Sequence, residues 1–265
     1  KAAGGAHVVS DFAATACDWT DPISGTYKGI DLVEHPPNGQ GATAILMANI
    51  LKHFDITALD PMGSKRAHIE AEAAKLAYDA RNRLLADHDH TVRLMHMLDA
   101  GTAEKLAALI NPKRAMSDKF GILMQNRGAG FTLERWHPNE LGPGKRPMHT
   151  IIPGMLRQNG RVTMPFGVMG GAYQPAGHLR FLSNMVDFGM DAQSAIDAPR
   201  AFSDNGVMSV ELGYSDTVRA ELYAMGHNVR VPEGPIGGAQ SIRIDDSGYL
   251  EGASDPRKDG CALGY

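Results

Sequence analysis

Two adjacent glycines, Gly170 and Gly171, follow an apolar run at Val162–Val168 and precede a helix-like segment that starts near Pro175. A glycine pair lets the backbone come close to a bound group, and its amide N–H groups suit an oxyanion hole or an anion nest. A tight strand-to-helix turn uses the same two residues, so the pair alone leaves both readings open. Upstream, Lys145-Arg146-Pro147-Met148-His149-Thr150 sets two cations beside an imidazole and a hydroxyl at the start of an extended segment. Such a group suits a carboxylate, because Lys and Arg donate strongly to anions. A solvated loop entering a strand is the plainer alternative. Asp87-His88-Asp89-His90 mixes metal-capable side chains. They crowd four consecutive positions, however, and no H-E-x-x-H or paired C-x-x-C accompanies them. A solvated loop is expected there, and no metal. The chain contains neither a phosphate-binding G-x-x-x-x-G-K-[ST] nor a G-x-S-x-G nucleophile elbow.

The elements that must position these residues fall into two halves. Apolar residues Ala44, Met47, Ala48 and Leu51 recur at helical spacing between Gln40 and Phe54. Ser64 is placed to cap a longer helix whose stripe is Ile69, Ala73, Leu76, Ala77 and Leu84, and a third helix is expected over Thr102–Ile110. Tyr27–Val33 reads as one strand that runs into the turn Pro36-Pro37-Asn38-Gly39. After Lys119 short extended segments alternate with Gly-rich turns, at Ile122–Gln125, Thr150–Leu156, Val162–Val168, Val207–Leu212, Asn228–Val231 and Ser241–Asp245. Helices interrupt them at Pro175–Phe188, at Ser215–Met225 with Gly226 behind it, and after Asp191. Helices first and strands later imply α+β layers. Residues 1–119 form a mostly helical segment and 120–265 a segment of strands with helices, together one domain.

Composition narrows the function classes. The 265 residues carry 26 Lys and Arg against 30 Asp and Glu, a net charge of −4, so no nucleic-acid partner is expected. No run of 18 apolar residues occurs, so no membrane span is expected. The first residues lack the apolar core of a signal peptide, and two cysteines, Cys17 and Cys261, are too few for a disulfide scaffold. A cytoplasmic location is the expectation. Gly and Pro, at 30 and 15, make up about a sixth of the chain, which marks it as rich in turns.

Taken together, several short motifs resemble the γ-glutamyltransferase family of N-terminal-nucleophile hydrolases. They are Pro36-Pro-Asn-Gly-Gln-Gly41, His68-x-x-x-Glu72-Ala-x-Lys75-Leu-Ala-Tyr78, Gly121-Ile-Leu-Met-Gln-Asn126, Gly144-Lys-Arg-Pro147, Gly170-Gly171, Asp197-Ala-Pro-Arg200, Gly237-Gly-Ala-Gln240 and Gly252-Ala-Ser-Asp-Pro-Arg257. The resemblance implies a four-layer αββα sandwich, incomplete in this chain. It also implies self-cleavage before a threonine, whose new amine acts as its own base in attacking an amide. It assigns Gly170 and Gly171 to the oxyanion hole and places His149 and Thr150 at the pocket positions after Lys-Arg-Pro. Arg127 is expected to join the pocket by its charge, and Asn126 and Gln240 are further substrate-site candidates that turn or strand hydrogen bonding explains equally. No cofactor is implied. The expected partners are a small acidic amide or γ-glutamyl-type substrate and the other subunit of a processed heterodimer, or a higher oligomer.

Two departures from the family pattern bear on function. Gly130 stands where relatives that take γ-glutamyl groups carry an acid for the substrate ammonium, and the nearby Arg127 favours an anion instead. A substrate without the α-amino group, such as an oxamate-type amide, is therefore expected. The family also places Thr-x-x-x-x-Val-Val-Asp just before Gly121-Ile-Leu, whereas this chain reads Ala115-Met-Ser-Asp-Lys-Phe120. The nucleophile is expected to lie outside this sequence. The alternative is an inactive relative that binds a ligand or a partner.

Overall fold

The structure, a computed structural model, describes Ser10, Ala13 and residues 19–114 and 127–264. Strand β1 (Ile23–Tyr27) and β2 (Ile30–Glu34) lead to helix α1 (Gly41–Leu51), α2 (Ser64–Leu84), α3 (Leu94–Leu98) and α4 (Ala100–Ala107). Then come β3 (Gly154–Gln158), β4 (Arg161–Met169), α5 (Gln174–Val186) and α6 (Ala192–Asp197). The chain ends through β5 (Ala201–Asp204), β6 (Val207–Val210), α7 (Asp216–Ala224), β7 (Val229–Arg230), β8 (Gly238–Ile244) and β9 (Leu250–Ser254). An antiparallel sheet runs in the order β1-β2-β3-β4-β8-β9, and β5-β6-β7 form a second, smaller sheet.

The α+β expectation holds, with strands of both halves in the larger sheet. Met164, Phe166 and Val168 alternate along β4 and point into one layer of helices. That layer centres on α1, whose eleven residues are all buried and none charged. It packs on β1, α2, α4 and α5 at once. On the opposite face of the sheet Met155, Met169 and Ile242 stay exposed, and among the described residues no second large sheet stands over them. The described part of the four-layer sandwich is thus one large sheet, its helices, and the small sheet beyond α2.

Several local expectations are corrected. Tyr27–Val33 is not one strand. Lys28 and Gly29 both take positive φ, 48° and 84°, and fold it into a two-residue hairpin between β1 and β2. Ser64 does not cap α2; Gly63 holds that position, and the Ser64 hydroxyl instead donates to Glu221 on α7. Strands β5 and β9 were not legible, and α3 lacks a stripe long enough to show. The Thr150–Leu156 strand begins only at Gly154, while β8 starts three residues before Ser241. The caps at Ser215 and Asp191 are as expected: each side chain accepts from the backbone N–H three residues on, at 3.3 and 2.9 Å. The Ile122–Gln125 strand lies outside the described residues.

Between α2 and α5 sits a buried ionic triad. Glu70 accepts from Arg66 Nε at 2.8 Å and from Arg180 Nη1 at 2.9 Å. Burial alone would raise the Glu70 carboxyl, but the two guanidinium groups outweigh it and hold the group below its ordinary range. Removing the carboxylate leaves two buried cations without their shared anion. Glu70→Gln is therefore expected to destabilise the fold by about 3–5 kcal/mol, measured by urea unfolding at neutral pH. A change under about 1 kcal/mol would show that solvent reaches the pair of arginines.

Candidate active site

The Gly170–Gly171 pair joins the end of β4 to a one-turn 3-10 segment, Gly171–Tyr173, which runs directly into α5. Gly170 takes φ 132° and Gly171 φ 59°, both in the region that favours glycine. A Cβ on Gly170 would lie 3.1 Å from Gly237 Cα and 3.3 Å from Tyr173 Cβ, so the residue before β8 makes a side chain at that position a tight fit. The carbonyls of this turn face inward and are bonded. Gly170 O accepts from Tyr173 N at 3.1 Å, Gly171 O from Gln40 Nε2 at 3.0 Å, and Ala172 O from the Tyr78 hydroxyl. No turn or side-chain acceptor among the described residues takes the N–H of Gly170 or Gly171. Both glycines reach solvent. Free, rigid N–H donors at the start of a helix are what a developing oxyanion requires.

Three buried groups brace the turn. Behind β4, His178 Nε2 accepts from the Val168 N–H at 3.3 Å, which puts the proton on Nδ1, 2.6 Å from Glu34 Oε1. Both side chains are fully buried, and burial pushes the Glu34 carboxyl up against the opposing pull of His178. Beside β8, the motifs Asp197–Arg200 and Gly252–Arg257 meet. Arg200 pairs with Asp255 at 2.5 Å and donates to Ile236 O at 2.7 Å, while Asp255 accepts from Ala239 N at 2.8 Å. Arg257 adds contacts to Asp255 at 3.2 Å and to Glu211 at 2.9 Å. This cluster fixes the backbone on either side of Gly237. The third brace is Gln40 on Arg81, with the Tyr78 ring 4.3 Å from the guanidinium.

The other sequence-derived residues fall as follows. Thr150 is tied to the same region, because its carbonyl accepts from Gln40 Nε2 at 2.8 Å. His149 pairs with Gly39 and donates its N–H to Asn38 O at 2.8 Å, and its Nδ1 accepts from Ile151 N at 3.0 Å. Gln240 is exposed on β8, opposite Gly167. Arg127 opens a short 3-10 turn, Arg127–Gly130, and Asn126 lies outside the described residues. A Cβ on Gly130 would fall 2.8 Å from Met148 O, so no acidic side chain fits at that position without moving the backbone. Asn139 holds the two strands of chain together there, bonded to Gly130 O and at 3.2 Å to Met148 N. Asp87 accepts from Arg146 N at 2.6 Å, while His88, Asp89 and His90 are exposed, in keeping with a loop.

Gln40, Arg81, Glu34 and His178 were not singled out from sequence. Arg81 left one signal. It continues the spacing Ile69, Ala73, Ala77 along the buried stripe of α2, where a cation is out of place.

A model of the gamma-glutamyltranspeptidase family matches residues 1–119 and 114–265. The chain belongs to that family. A glutathione hydrolase-like YwrD proenzyme of Bacillus subtilis (strain 168) is 30% identical over 304 positions, covering 97% of this chain and 58% of that protein. An oxamate amidohydrolase proenzyme of Klebsiella pneumoniae is 35% identical over 154 positions, covering 55% of this chain and 29% of that protein. A cephalosporin acylase of Bacillus halodurans superposes with TM-score 0.90 at 32% identity, over 100% of this chain and 57% of the other. The chain thus has the N-terminal-nucleophile hydrolase fold and spans little more than half the length of the two Bacillus relatives. The family's two matched pieces overlap at residues 114–119, immediately before Gly121.

One further polar group lies away from the glycine pair. Among the described residues, His68, Glu72 and His227 are the set whose ligand atoms approach one another, within 4.8 Å. His68 Nε2 meets Asn111 O at 2.7 Å and must donate to it, so its Nδ1, 2.7 Å from His227 Nε2, is left to accept. Lys75 Nζ already stands 2.9 Å from Glu72. A cation would have to break the histidine pair and compete with an ammonium, so the group is read as a tie between α2 and the α7–β7 turn. Burial, Lys75 and His68, in that order, push the His227 imidazole down to about 3. The folded state therefore refuses a proton that the unfolded chain accepts near 6.5. Stability from this group is complete above that pH and is lost as the pH falls toward about 3. Urea midpoints measured across that range should fall more steeply for the wild-type chain than for His227→Gln, and equal slopes would mean His227 takes up its proton in the folded state.

Proposed function

We propose that the whole protein is a self-processing amidohydrolase or acyltransferase. Its nucleophile is a threonine that stands, in the full protein, ahead of Gly121. The observation that carries this is the turn at Gly170–Gly171: two N–H donors without a partner, exposed at the mouth of a buried brace, in a family whose members are named proenzymes. Support for the missing segment comes from the two-piece family match meeting at 114–119. The 304-position alignment to a chain of 265 residues adds to it, since the relative carries residues that this sequence does not.

The chemistry follows from the parts. The threonine hydroxyl attacks the amide carbon, and its own α-amine takes the proton. The carbonyl oxygen gains charge and moves into the N–H groups of Gly170 and Gly171, a type of contact whose loss costs roughly a hundredfold to a thousandfold in kcat elsewhere. The amine leaves with the proton, and water or a second amine then releases the acyl group. No step calls for a cofactor. His149, Thr150, Arg127, Asn126 and Gln240 are the proposed pocket residues.

The proposed substrate is a small amide bearing a carboxylate and no α-ammonium. Gly130 supports this, since the close approach of Met148 O leaves no room for an acidic side chain. Arg127 and the Lys145-Arg146 pair supply positive charge in the same stretch of chain. Steady-state kinetics on the full-length protein test it. Oxamate-type amides are expected to turn over at least about tenfold faster, as kcat/KM, than γ-glutamyl anilides, a preference of about 1.4 kcal/mol. The reverse order would overturn the substrate assignment while leaving the amidohydrolase reading in place. The processed protein is expected to run as two subunits on a denaturing gel, with the break immediately before the threonine.

A further inference from the structure

Gln40 occupies an unusual position. It is fully buried, it precedes α1, and each of its polar atoms is used. Its Nε2 donates to Thr150 O at 2.8 Å and to Gly171 O at 3.0 Å, and its Oε1 accepts from Arg81 Nη1 at 2.8 Å. An arginine has only donors and a carbonyl only lone pairs, so one orientation of the amide satisfies all three contacts. Arg81 therefore decides which way the Gln40 amide faces.

Arg81 is itself unusual. Its Nε and Nη2 go to Asn82 Oδ1 at 3.0 and 2.9 Å, and its plane lies against the Tyr78 ring. Among the described residues no carboxylate reaches ion-pair distance of it. Burial holds this guanidinium below its ordinary range. Asp204 on β5 acts on it only from beyond ion-pair distance, and a buried cation held so loosely is costly to the fold. That cost goes unexplained if Arg81 only fills space on α2.

We propose that Gln40 and Arg81 are positioning residues for the oxyanion donors, holding the Gly171 carbonyl so that Gly171, whose N–H is one of the two donors, keeps a single backbone conformation. In a trans peptide the C=O and the N–H point in opposite directions. Tying the Gly171 carbonyl inward, as Gln40 does, turns the Ala172 N–H outward and fixes the peptide that follows the Gly171 donor. Gly171 has a glycine's freedom to rotate, and Gln40 is its only side-chain tie among the described residues. The Arg81 charge, one side chain away, polarises the Gln40 amide toward its two acceptors. This inference rests on the oxyanion role proposed for the glycine pair.

The test uses the full-length protein and the variants Gln40→Glu, Arg81→Met and Arg81→Lys. Glu keeps the size of Gln and the contact to Arg81 but turns a lone pair toward Gly171 O. Expected are a fall in kcat of roughly tenfold to a hundredfold for Gln40→Glu and Arg81→Met, with KM within about threefold, and recovery of most of kcat in Arg81→Lys. Amide hydrogen exchange at Ala172 and Tyr173 should speed up in the first two variants and stay close to wild type in the third. Unchanged kcat in Gln40→Glu would overturn the proposal. So would a parallel loss of kcat, KM and melting temperature that Arg81→Lys does not recover. A wild-type protein without amidase activity would sink the functional reading instead, and the exchange rates would still decide whether Gln40 and Arg81 hold the turn.

Discussion

The structure turns on a shortage of space around one peptide turn. Gly170 is pressed against Gly237, its neighbours must show their N–H groups to solvent, and their carbonyls must be bonded out of water's reach. Each demand recruits residues from another part of the chain. Gln40 and Arg81 come from the segments around α1 and α2, Glu34 and His178 from β2 and α5, and Arg200 and Asp255 from just before β5 and just after β9. Part of the buried polar inventory is explained by what it does for this turn. A turn with φ 132° and 59° at successive residues is not what a chain adopts unaided, and the surroundings over-determine it.

Charge inside the molecule follows the same logic. Glu70 is shared by Arg66 and Arg180, Arg200 and Arg257 balance Asp255 and Glu211, and each cluster joins elements distant in sequence. Buried ion pairs contribute little net stability compared with apolar packing, but they penalise wrong arrangements strongly. They suit a scaffold that must hold one geometry more than they suit one that must be maximally stable. Arg81 departs from this pattern, and it is the group aimed at the glycine turn.

Much of the architecture was legible in the residues because its causes are local. The alternation of Met164, Phe166 and Val168 marked β4, and the stripe in Pro175–Phe188 marked α5. Ser215 and Asp191 announced their helices by capping chemistry within three residues. The hairpin at Lys28-Gly29 went unseen because its non-glycine residue takes a positive φ that no side-chain pattern announces. Ser64 misled because a good cap residue found a better partner, Glu221, across the fold. The glycine pair was visible and equivocal in itself, and the resemblance supplied its meaning. Gln40 was invisible because its role depends on partners 110 and 131 residues away. Such contacts leave no period in the sequence.

Those separations also set a timetable. Gln40 leaves the ribosome long before Thr150 and Gly171 exist, and α1, apolar on every side, waits for α5 to cover it. The early half must therefore hold a greasy helix and an uncommitted amide for the time it takes to synthesise more than a hundred residues, on the order of ten seconds at ordinary elongation rates. The ties that hold the turn cannot form before Thr150 and Gly171 are made. In a protein whose self-cleavage depends on the donors of that turn, that order would keep the chain uncut until its core has closed.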